Sequence, residues 1–418
     1  MSGSTYDCII IGGGASGLFA ASKLMELTSG RASVLVIDGN DRCGKKLALT
    51  GSGRCNLSNR NATADKYRTD DINLLDHCLA DFGYEDAVSF FEKTLGVLTV
   101  CDNGLFYPST YRAQTVIDSF RFYLEDMGCK MKLGSKCVKI DECKGIYRVM
   151  LKDGASYEAR NLIFAAGGST YPSTGTDGSA VALLSGLVNP KDIVTFRPAL
   201  TSLSSKMQGI KALAGIRCKG NVTLLTGGND AADYSEGEVI FSKDGGISGI
   251  CVMDISGTAV NLMDRGTKCE VAVNLIGRSA DETFDMLLSR KARFGTRTVT
   301  AALTGLMPRV LCEFVCKVAG IDPADKICNI GDKALKTLCS AICGLRIPVD
   351  GFGGNDKAQV SSGGVRLSAM NEDMQYKDRN GLYIIGEALN VDGRCGGYNL
   401  QWAWSSAVAA SKRVSVDV

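Results

Sequence analysis

Histidine is nearly absent from this sequence, since His77 is the only one among 418 residues. A single imidazole excludes metal sites built from several histidines and leaves acid–base catalysis to other side chains. We interpret His77, in a predicted surface helix, as structural, and we predict no metal site. The sequence also has no CxxC pair, so its 17 cysteines argue against zinc ribbons and dithiol redox motifs and fit reduced thiols in the cytoplasm.

The sequence also lacks an excess of charge of either sign, and it lacks long apolar runs. Lys and Arg number 47 against 45 Asp and Glu, which argues against a nucleic-acid partner or an anionic membrane surface. No stretch of 18 apolar residues occurs, and no basic segment precedes the first apolar run, so we expect neither a membrane span nor a signal peptide. The expected partner is a small-molecule substrate, and the sequence leaves the oligomeric state open.

Glycine, by contrast, is abundant, with 49 residues, and its clusters follow predicted strands. Residues 6–11 form a short apolar run typical of a strand buried on both faces, and residues 33–37 form another. The pattern of residues 18–27, between them, predicts a helix. The chain is therefore predicted to open with a βαβ unit, which is the building block of parallel α/β sheets.

Gly12, Gly14 and Gly17 follow the first predicted strand in the spacing GxGxxG. In dinucleotide-binding folds these glycines allow the tight turn, the approach of the pyrophosphate and the close packing of helix on strand. Asp38 ends the second strand, about 20 residues further on, where a carboxylate binds the ribose hydroxyls. The combination predicts a dinucleotide with an unphosphorylated ribose, FAD or NAD.

Two later elements, each a strand followed by glycine, favour FAD. Residues 161–166 predict a strand that runs into Gly167, and residues 381–385 predict one that runs into Gly386 and Glu387. The second is similar to the late strand of flavoproteins with two dinucleotide folds, whose Gly-Glu turn reaches the flavin ribityl chain and pyrophosphate. A simple NAD dehydrogenase would not need this second glycine cluster, so FAD is the predicted cofactor.

The pattern changes in the middle of the chain, which predicts an α/β domain split by an insertion. Residues 1–190 and 348–418 are predicted to form the FAD-binding domain, and residues 191–347 a β-rich insert with a helical subdomain at about 281–344. Further helices are predicted at 71–95, 112–128 and 400–414, and strands at 130–140, 146–158, 220–226 and 238–241.

Four motifs resemble those of a known family. Residues 44–59, GKKLALTGSGRCNLSN, are similar to a signature of bacterial NAD(P)/FAD-dependent oxidoreductases, and residues 165–172, 241–249 and 381–406 resemble its other motifs in the same order. The chain thus resembles the BaiN-like and aminoacetone oxidase-like flavoproteins. The resemblance implies a Rossmann-like FAD domain with two dinucleotide-binding folds, interrupted by a β-barrel-like insert that carries a small helical subdomain.

The same resemblance implies which residues contact FAD, in addition to Gly17 of the glycine motif. The contacts carried over are Gly12, Gly14, Ala15, Ser16, Asp38, Lys46, Gly51, Cys55, Asn56, Val138, Ala166, Gly167, Gly386, Glu387, Asn399 and Leu400. Two departures, Lys45 in place of a common Arg and the serine pair 361–362 before two glycines, leave these contacts intact.

Catalytic roles fall to side chains other than histidine. Tyr171 and Tyr398 are candidate proton donors, or they pack around the flavin. Arg54 is a candidate for polarising a substrate carbonyl, and Lys46 is interpreted as holding phosphate. Cys55 is either a redox thiol or a polar contact, and the absence of a nearby partner cysteine argues against a disulfide reductase.

These predictions converge on a FAD-dependent oxidoreductase. The leading hypothesis is an NAD(P)H-linked reductase of an activated C=C bond, such as the enone of a steroid, a bile acid or a similar small hydrophobic molecule. Because no second GxGxxG with a following acid is present, the nicotinamide would bind transiently through the substrate cleft. Two alternatives stay open: a flavin oxidase of a small amine or ketone such as aminoacetone, and a flavin-binding regulatory or RNA-associated protein.

Overall fold

The chain folds into two compact units. The computed structural model describes residues 5–227, 230–416 and 418. The first unit contains the chain up to Arg197 and again from Gln359, and the second unit contains Pro198–Ala358. The first unit is therefore discontinuous in sequence, and the second is inserted between its two parts.

The strands and helices of the described residues have the following bounds. In chain order the strands are β1 (Tyr6–Ile11), β2 (Val34–Ile37), β3 (Ser58–Asn59), β4 (Tyr67–Thr69), β5 (Thr99–Asp102), β6 (Leu105–Pro108), β7 (Lys130–Lys132), β8 (Cys137–Cys143), β9 (Ile146–Leu151), β10 (Ser156–Phe164), β11 (Ile193–Ala199), β12 (Leu203–Ser204), β13 (Arg217–Thr226), β14 (Asp230–Phe241), β15 (Gly246–Ser248), β16 (Cys269–Asn274), β17 (Leu345–Val349), β18 (Gly351–Phe352), β19 (Val360–Val365), β20 (Leu382–Ile384) and β21 (Val391–Gly393). The helices are α1 (Ala15–Leu27), α2 (Thr50–Gly53), α3 (Ile72–Asp81), α4 (Tyr84–Lys93), α5 (Ala113–Asp126), α6 (Ile250–Asp264), α7 (Ala280–Arg293), α8 (Val299–Leu303), α9 (Arg309–Val318), α10 (Asp332–Cys343) and α11 (Tyr398–Val416).

A parallel sheet forms the centre of the first unit. Its strands run in the order β7–β2–β1–β10, all in parallel pairs, and β20 pairs in parallel with the C-terminal part of β10. The antiparallel strands β9 and β8 extend the sheet from the N-terminal part of β10. Ile9 and Ile10 of β1 are fully buried, as expected for an apolar strand covered on both faces. The predicted α/β fold is confirmed.

Helices α1 and α11 pack closely in this unit, and both begin at glycine turns. Small residues let their backbones approach, and the hydroxyl of Ser411 donates to the carbonyl oxygen of Ala20 at 3.1 Å. An aromatic cluster surrounds the contact: the ring of Phe19 stacks on Trp404 with centroids 4.9 Å apart and meets Phe120 edge-on at 6.1 Å. This packing fixes the two helix N-termini relative to each other.

The second unit is an antiparallel sheet with a helical subdomain. The strand order is β17–β16–β13–β14–β15–β12–β18, with every pair antiparallel. The outer strands β17 and β18 are separated in sequence by Asp350 alone, so the chain itself joins the two edges of the sheet. This gives the insert its barrel-like form. Helices α7–α10 form the helical subdomain around buried residues such as Leu287, Leu311 and Leu335.

Several details differ from the sequence predictions. The predicted strand at 130–140 forms two strands, β7 and β8, and the segment 146–158 contains β9 and the start of β10. Residues 71–95 form two helices, because the backbone leaves the helical conformation at Gly83. Helix α6 was not predicted, since β-branched residues and Gly257 weaken its intrinsic helix propensity. The changes of unit fall at Arg197 and Ala358 instead of 190 and 347, because β11, which contains the first junction, pairs with β19, which follows the second.

Candidate functional site

The glycine turn after β1 is shaped by close backbone contacts. Gly12 has a φ of +107°, and a Cβ at this position would lie 2.4 Å from the carbonyl oxygen of Ala165. A Cβ on Gly17 would lie 1.9 Å from the carbonyl oxygen of Gly12. Strand, turn and helix α1 therefore pack at a distance that only glycine allows.

The N-terminus of α1 is open. Gly14 precedes the helix, and a Cβ built on it meets no atom within 4 Å. Among the described residues no side chain caps this helix, and the backbone N–H groups of Ala15, Ser16 and Gly17 find no acceptor there. Unpaired N–H groups at the positive end of a helix dipole bind phosphate. The open space beside Gly14 is thus a cradle that suits a pyrophosphate.

Asp38 is held at the end of β2, next to the glycine turn. Its Oδ2 accepts the N–H of Gly13 at 2.8 Å, and its Oδ1 accepts the backbone and side-chain N–H groups of Asn40 at 2.7 and 2.9 Å. A carboxylate has about four acceptor positions, so the half-buried Asp38 retains capacity for a ribose hydroxyl. This is the position in which the sequence predicts a ribose contact.

A second glycine turn lies against the first. Gly386 follows β20, and a Cβ there would lie 2.5 Å from the hydroxyl of Ser16 at the start of α1. The N–H of Gly386 donates to the Ser406 hydroxyl at 3.0 Å, and the indole N–H of Trp402 donates to its carbonyl at 3.2 Å. Helix α11 therefore fixes this turn beside α1.

Glu387, in the same turn, is bound by a network of donors. The ammonium group of Lys46 contacts its two carboxylate oxygens at 2.9 and 2.7 Å and the hydroxyl of Thr170 at 2.7 Å. The N–H of Ser361 donates to Glu387 Oε1 at 2.7 Å. Because an ammonium group has three donors, Lys46 uses all of them within the protein. The phosphate contact predicted for Lys46 would require this ion pair to open.

Left-handed backbone shapes the loop that contains α2. Gly51, Ser52 and Cys55 have φ values of +55°, +58° and +60°. Cys55 is fully buried, and burial raises the pKa of its thiol to about 12. The thiol is therefore protonated at neutral pH and a poor nucleophile, which favours the contact interpretation of Cys55 over the redox one.

Asn56 links this loop to the start of α11. Its buried amide, oriented to satisfy its neighbours, accepts the N–H of Gly397 at 3.1 Å and donates to the carbonyls of Ser58 and Phe106 at 2.9 and 3.2 Å. A Cβ on Gly397 would lie 2.8 Å from the Ser58 backbone, so the glycine permits this approach. These bonds bring together two of the motifs that carry the family resemblance, residues 44–59 and residues 381–406, which are distant in sequence.

The first turn of α11 contains Tyr398, Asn399 and Leu400. The Asn399 amide accepts the N–H of Gly393 and donates to its carbonyl, both at 2.8 Å. The ring of Tyr398 is buried and lies edge-on to Tyr67, with centroids 6.0 Å apart, and Leu400 packs against the core. This turn is therefore held in place from several sides.

The remaining predicted residues are distributed around these turns. Ala166 and Gly167 follow β10, and Gly167 has a φ of +75°. Tyr171, half-buried, has the left-handed φ of +55°. Val138 lies on the outer strand β8 and is 50% exposed. The structure brings together the two glycine turns, Asp38 and Glu387, whereas Val138 stands on the edge of the sheet.

Several supporting contacts could not be predicted from the sequence motifs, although some of their residues lie within them. The guanidinium of Arg54, which is exposed, lies over the ring of Tyr107 at 5.3 Å. The indole N–H of Trp404 donates to the carbonyl of Leu57 at 2.8 Å. Their partners are distant in the chain, so local spacing could not identify them.

The site suits a dinucleotide better than a metal ion. Among the described residues no group of three or more His, Cys, Asp and Glu could hold a metal, and none of the helices described is long and apolar enough to cross a membrane. An open helix N-terminus, a carboxylate at the end of β2 and a second glycine turn fit the phosphates and ribose of a dinucleotide. The fold and the site define a flavoprotein oxidoreductase with a Rossmann-like FAD-binding domain.

Comparison with known proteins gives the family. The HI0933-like protein Rossmann domain matches residues 6–413. A 3-dehydro-bile acid delta(4,6)-reductase of Clostridium scindens is 31% identical over 406 residues, which cover 96% of this chain and 97% of that protein. A ribosomal RNA dihydrouridine synthase of Haemophilus influenzae is 28% identical over 423 residues, covering 97% and 98%.

The chain is also similar to the solved structure of 3-ketosteroid delta1-dehydrogenase from Sterolibacterium denitrificans. The match covers 100% of each chain, with a TM-score of 0.50 and 13% identity, and it shows a shared fold. The chain belongs to the HI0933-like Rossmann family. The family resemblance predicted from the four motifs is confirmed.

Proposed function

We propose that the protein is a FAD-dependent reductase that transfers a hydride to a C=C bond conjugated to a carbonyl group. The observation that carries the proposal is the open N-terminus of α1, with open space beside Gly14 and unpaired N–H groups after it. A pyrophosphate fits this cradle, and Asp38 stands beside it for the ribose.

The chain offers a complete set of residues for the cofactor. The turn from Gly12 to Gly17 would hold the pyrophosphate, Asp38 the adenosine ribose, and Gly386 with Glu387 the ribityl chain. The loop from Gly51 to Asn56 and the first turn of α11 would border the flavin ring. When bound, reduced FAD supplies a hydride.

Two kinds of relatives support the choice of acceptor. The name of the Clostridium scindens protein describes reduction of double bonds in a 3-dehydro-bile acid. The name of the Haemophilus influenzae protein describes formation of dihydrouridine, which is uridine with its C5=C6 bond reduced. In both cases the double bond is conjugated to a carbonyl, so the common chemistry is hydride addition to an electron-poor C=C.

The protein must stabilise charge and deliver a proton in such a reaction. A hydride added to one carbon leaves an electron pair on the conjugated carbonyl oxygen, and a proton on the other carbon completes the saturated product. Arg54 is a donor for this oxygen, because a fixed cation stabilises developing negative charge. Tyr171 and Tyr398 are the proposed proton donors.

A small hydrophobic enone of the steroid or bile-acid type is the proposed substrate, with NAD(P)H as a transient electron donor. The near balance of 47 basic and 45 acidic residues supports a small molecule over a nucleic acid. A uracil in ribosomal RNA is the second candidate, which the dihydrouridine synthase relative favours. Among the described residues no cysteine forms a disulfide, which supports a cytoplasmic location.

Anaerobic reoxidation of the photoreduced protein tests the proposal. The flavin absorbance at ~450 nm should return when a steroid dienone is added, with one equivalent of the product in which one C=C bond is reduced. Reoxidation by a ribosomal RNA fragment, and not by the dienone, would select the second candidate. Peroxide formed from aminoacetone in air, with no turnover of either acceptor, would contradict the reductase proposal.

A further inference from the structure

An arginine and two tyrosines form a stack in the first unit. The guanidinium of Arg54 lies 5.3 Å from the ring centroid of Tyr107, and the rings of Tyr107 and Tyr111 are 5.5 Å apart at an angle of 37°. Tyr107 is 5% exposed, whereas Tyr111 is 41% exposed. We call these three residues the aromatic ledge: a buried ring that supports two exposed planar groups.

The aromatic ledge adjoins the loop that the proposed function places against the flavin. A Cβ on Gly51 would lie 3.7 Å from Tyr107 Cε1 and 3.1 Å from the backbone nitrogen of Asn56. Asn56 in turn bonds Gly397 at the start of α11. A ring that approached the flavin from this loop would meet Arg54 and Tyr111.

Both exposed groups retain binding capacity. Among the described residues Arg54 donates one hydrogen bond, from Nε to the carbonyl of Gly51 at 3.2 Å, which leaves four of its five N–H donors for a ligand. Tyr111 has a φ of +50°, a conformation that is rare for a bulky residue and that concentrates at ligand-binding sites. The core does not require this ring, since much of it faces solvent.

We propose that the aromatic ledge is a substrate subsite for a planar ring that carries a conjugated carbonyl. Tyr111 would stack on the face of the ring, and Arg54 would donate to the carbonyl oxygen. A guanidinium suits this role better than an ammonium group, because it is planar and stays stacked on Tyr107 while it donates. The proposal rests on the proposed function for the reaction, and it adds the shape and polarity of the substrate.

Binding of two matched small molecules tests the subsite without requiring turnover. The probes are 4-hydroxybenzaldehyde, a planar ring with a conjugated carbonyl, and 4-hydroxybenzyl alcohol, which lacks the carbonyl. Ligand-observed NMR gives dissociation constants for the wild type and for Tyr111→Leu, Tyr111→Gly and Arg54→Lys. Both Tyr111 variants should weaken the aldehyde about tenfold, and Tyr111→Gly also removes the left-handed φ constraint, so it guards against a folding defect. Arg54→Lys should weaken the aldehyde and leave the alcohol unchanged.

The controls lie next to the opposite face of β6, since Tyr84 of α4 contacts Phe106 and Arg60 bonds to the thiol of Cys101, which pairs with Phe106. Phe106 precedes Tyr107 on β6, so the two side chains point to opposite faces, and Tyr84 stacks on Phe106 at 5.5 Å. Tyr84→Leu and Arg60→Lys should bind both probes within twofold of the wild type. The subsite would be overturned if the wild type did not prefer the aldehyde over the alcohol. It would also be overturned if the Arg54 and Tyr111 variants bound the aldehyde as tightly as the wild type. If reduced wild type is reoxidised by a dienone while these variants bind normally, the subsite alone fails and the proposed function stands.

Discussion

The two helices that begin at glycine turns, α1 and α11, differ in how their N-termini are bound. At α1 the N–H groups of Ala15, Ser16 and Gly17 find no acceptor among the described residues. At α11 the N–H of Gly397, just before the helix, is accepted by the buried amide of Asn56. The residue before α1, Gly14, faces open space, whereas the residue before α11 is bound by the protein.

This difference separates binding from positioning. Helix α1 can bind an anion because no side chain competes for its N–H groups. Helix α11 is placed by its indoles, since Trp402 donates to the carbonyl of Gly386 and Trp404 to that of Leu57, at 3.2 and 2.8 Å. The role of α1 therefore follows from a local motif, whereas the place of α11 depends on segments that are far away in the chain.

Substitution of the glycines in the first turn should have the largest effects on stability and on FAD binding, and these effects test the difference between α1 and α11 most strongly. Gly17→Ala would place a Cβ 1.9 Å from the carbonyl oxygen of Gly12, so the backbone must shift, at a cost of about 3 kcal/mol or more, and FAD binding should be lost as well. Gly14→Ala adds a Cβ where nothing lies within 4 Å and where the backbone has a φ of −81°. It should melt like the wild type yet bind FAD at least about tenfold more weakly.

Thermal unfolding and FAD titration of both variants provide the check. Wild-type FAD affinity in Gly14→Ala would contradict the assignment of the cradle to the pyrophosphate. A fully stable Gly17→Ala would contradict the contact between turn and helix.

Asn56→Ala tests the bonds that hold α11. The amide is buried, and its loss removes the acceptor of the Gly397 N–H and a donor to the carbonyls of Ser58 and Phe106, although Phe106 keeps the N–H of Leu57 at 2.7 Å. The free energy of unfolding should therefore fall by about 1–3 kcal/mol. FAD affinity should fall too, because the loop and α11 lose their register. Asn73→Ala, an exposed change on α3, is the control in chemical denaturation, and equal stability of the two variants would count against the account.

The smallest expected effect is on the pH dependence of stability, through Asp70 and its bonds to Ser368 and Asn390. Burial alone would raise the pKa of Asp70, but hydrogen bonds from Ser368, Asn390 and the N–H of Leu367 outweigh it and lower the pKa below its ordinary value. A depressed pKa in the folded state contributes stability above the ordinary pKa of about 3.9. That contribution is lost as the pH falls through the folded value.

Asp70→Asn should therefore be less stable than the wild type at neutral pH, by under about 1 kcal/mol because the group is exposed. The difference should shrink below about pH 4. Asp76→Asn, also exposed and on α3, is the matched control. Denaturation curves at pH 3 and pH 7 decide the matter, and a difference between Asp70→Asn and wild type that does not depend on pH would contradict the assignment.

Much of the fold was predictable because its signals are local. The apolar run before Gly12, the glycine spacing and Asp38 define one βαβ unit in fewer than 40 residues, and the structure places them in adjacent positions. The barrel-like insert and its helices were likewise marked by a change of pattern. Helix α6 was not predicted because most of its faces are apolar and it contains Gly257. Its sequence therefore lacks the alternation of apolar and polar faces that is typical of an amphipathic helix.

The supporting contacts of the site could not be predicted in this way. Lys46 and Glu387 form an ion pair across most of the chain, and spacing carries no information on such a contact. The stack of Arg54, Tyr107 and Tyr111 combines a loop residue with residues of and after β6, whose sequence indicates only an apolar strand. Local motifs thus predict the cradle at the N-terminus of α1, whereas the contacts around it result from tertiary packing that local motifs do not indicate.

The central claim is that the open N-terminus of α1, Asp38 and the turn at Gly386 form one FAD site. Calorimetric titration of flavin-free protein with FAD and with FMN tests it most directly, because FMN lacks the adenosine and the pyrophosphate that these groups would bind. The account predicts one FAD per chain and an affinity for FMN at least about tenfold weaker. Equal affinity for the two flavins, or binding of neither, would contradict it.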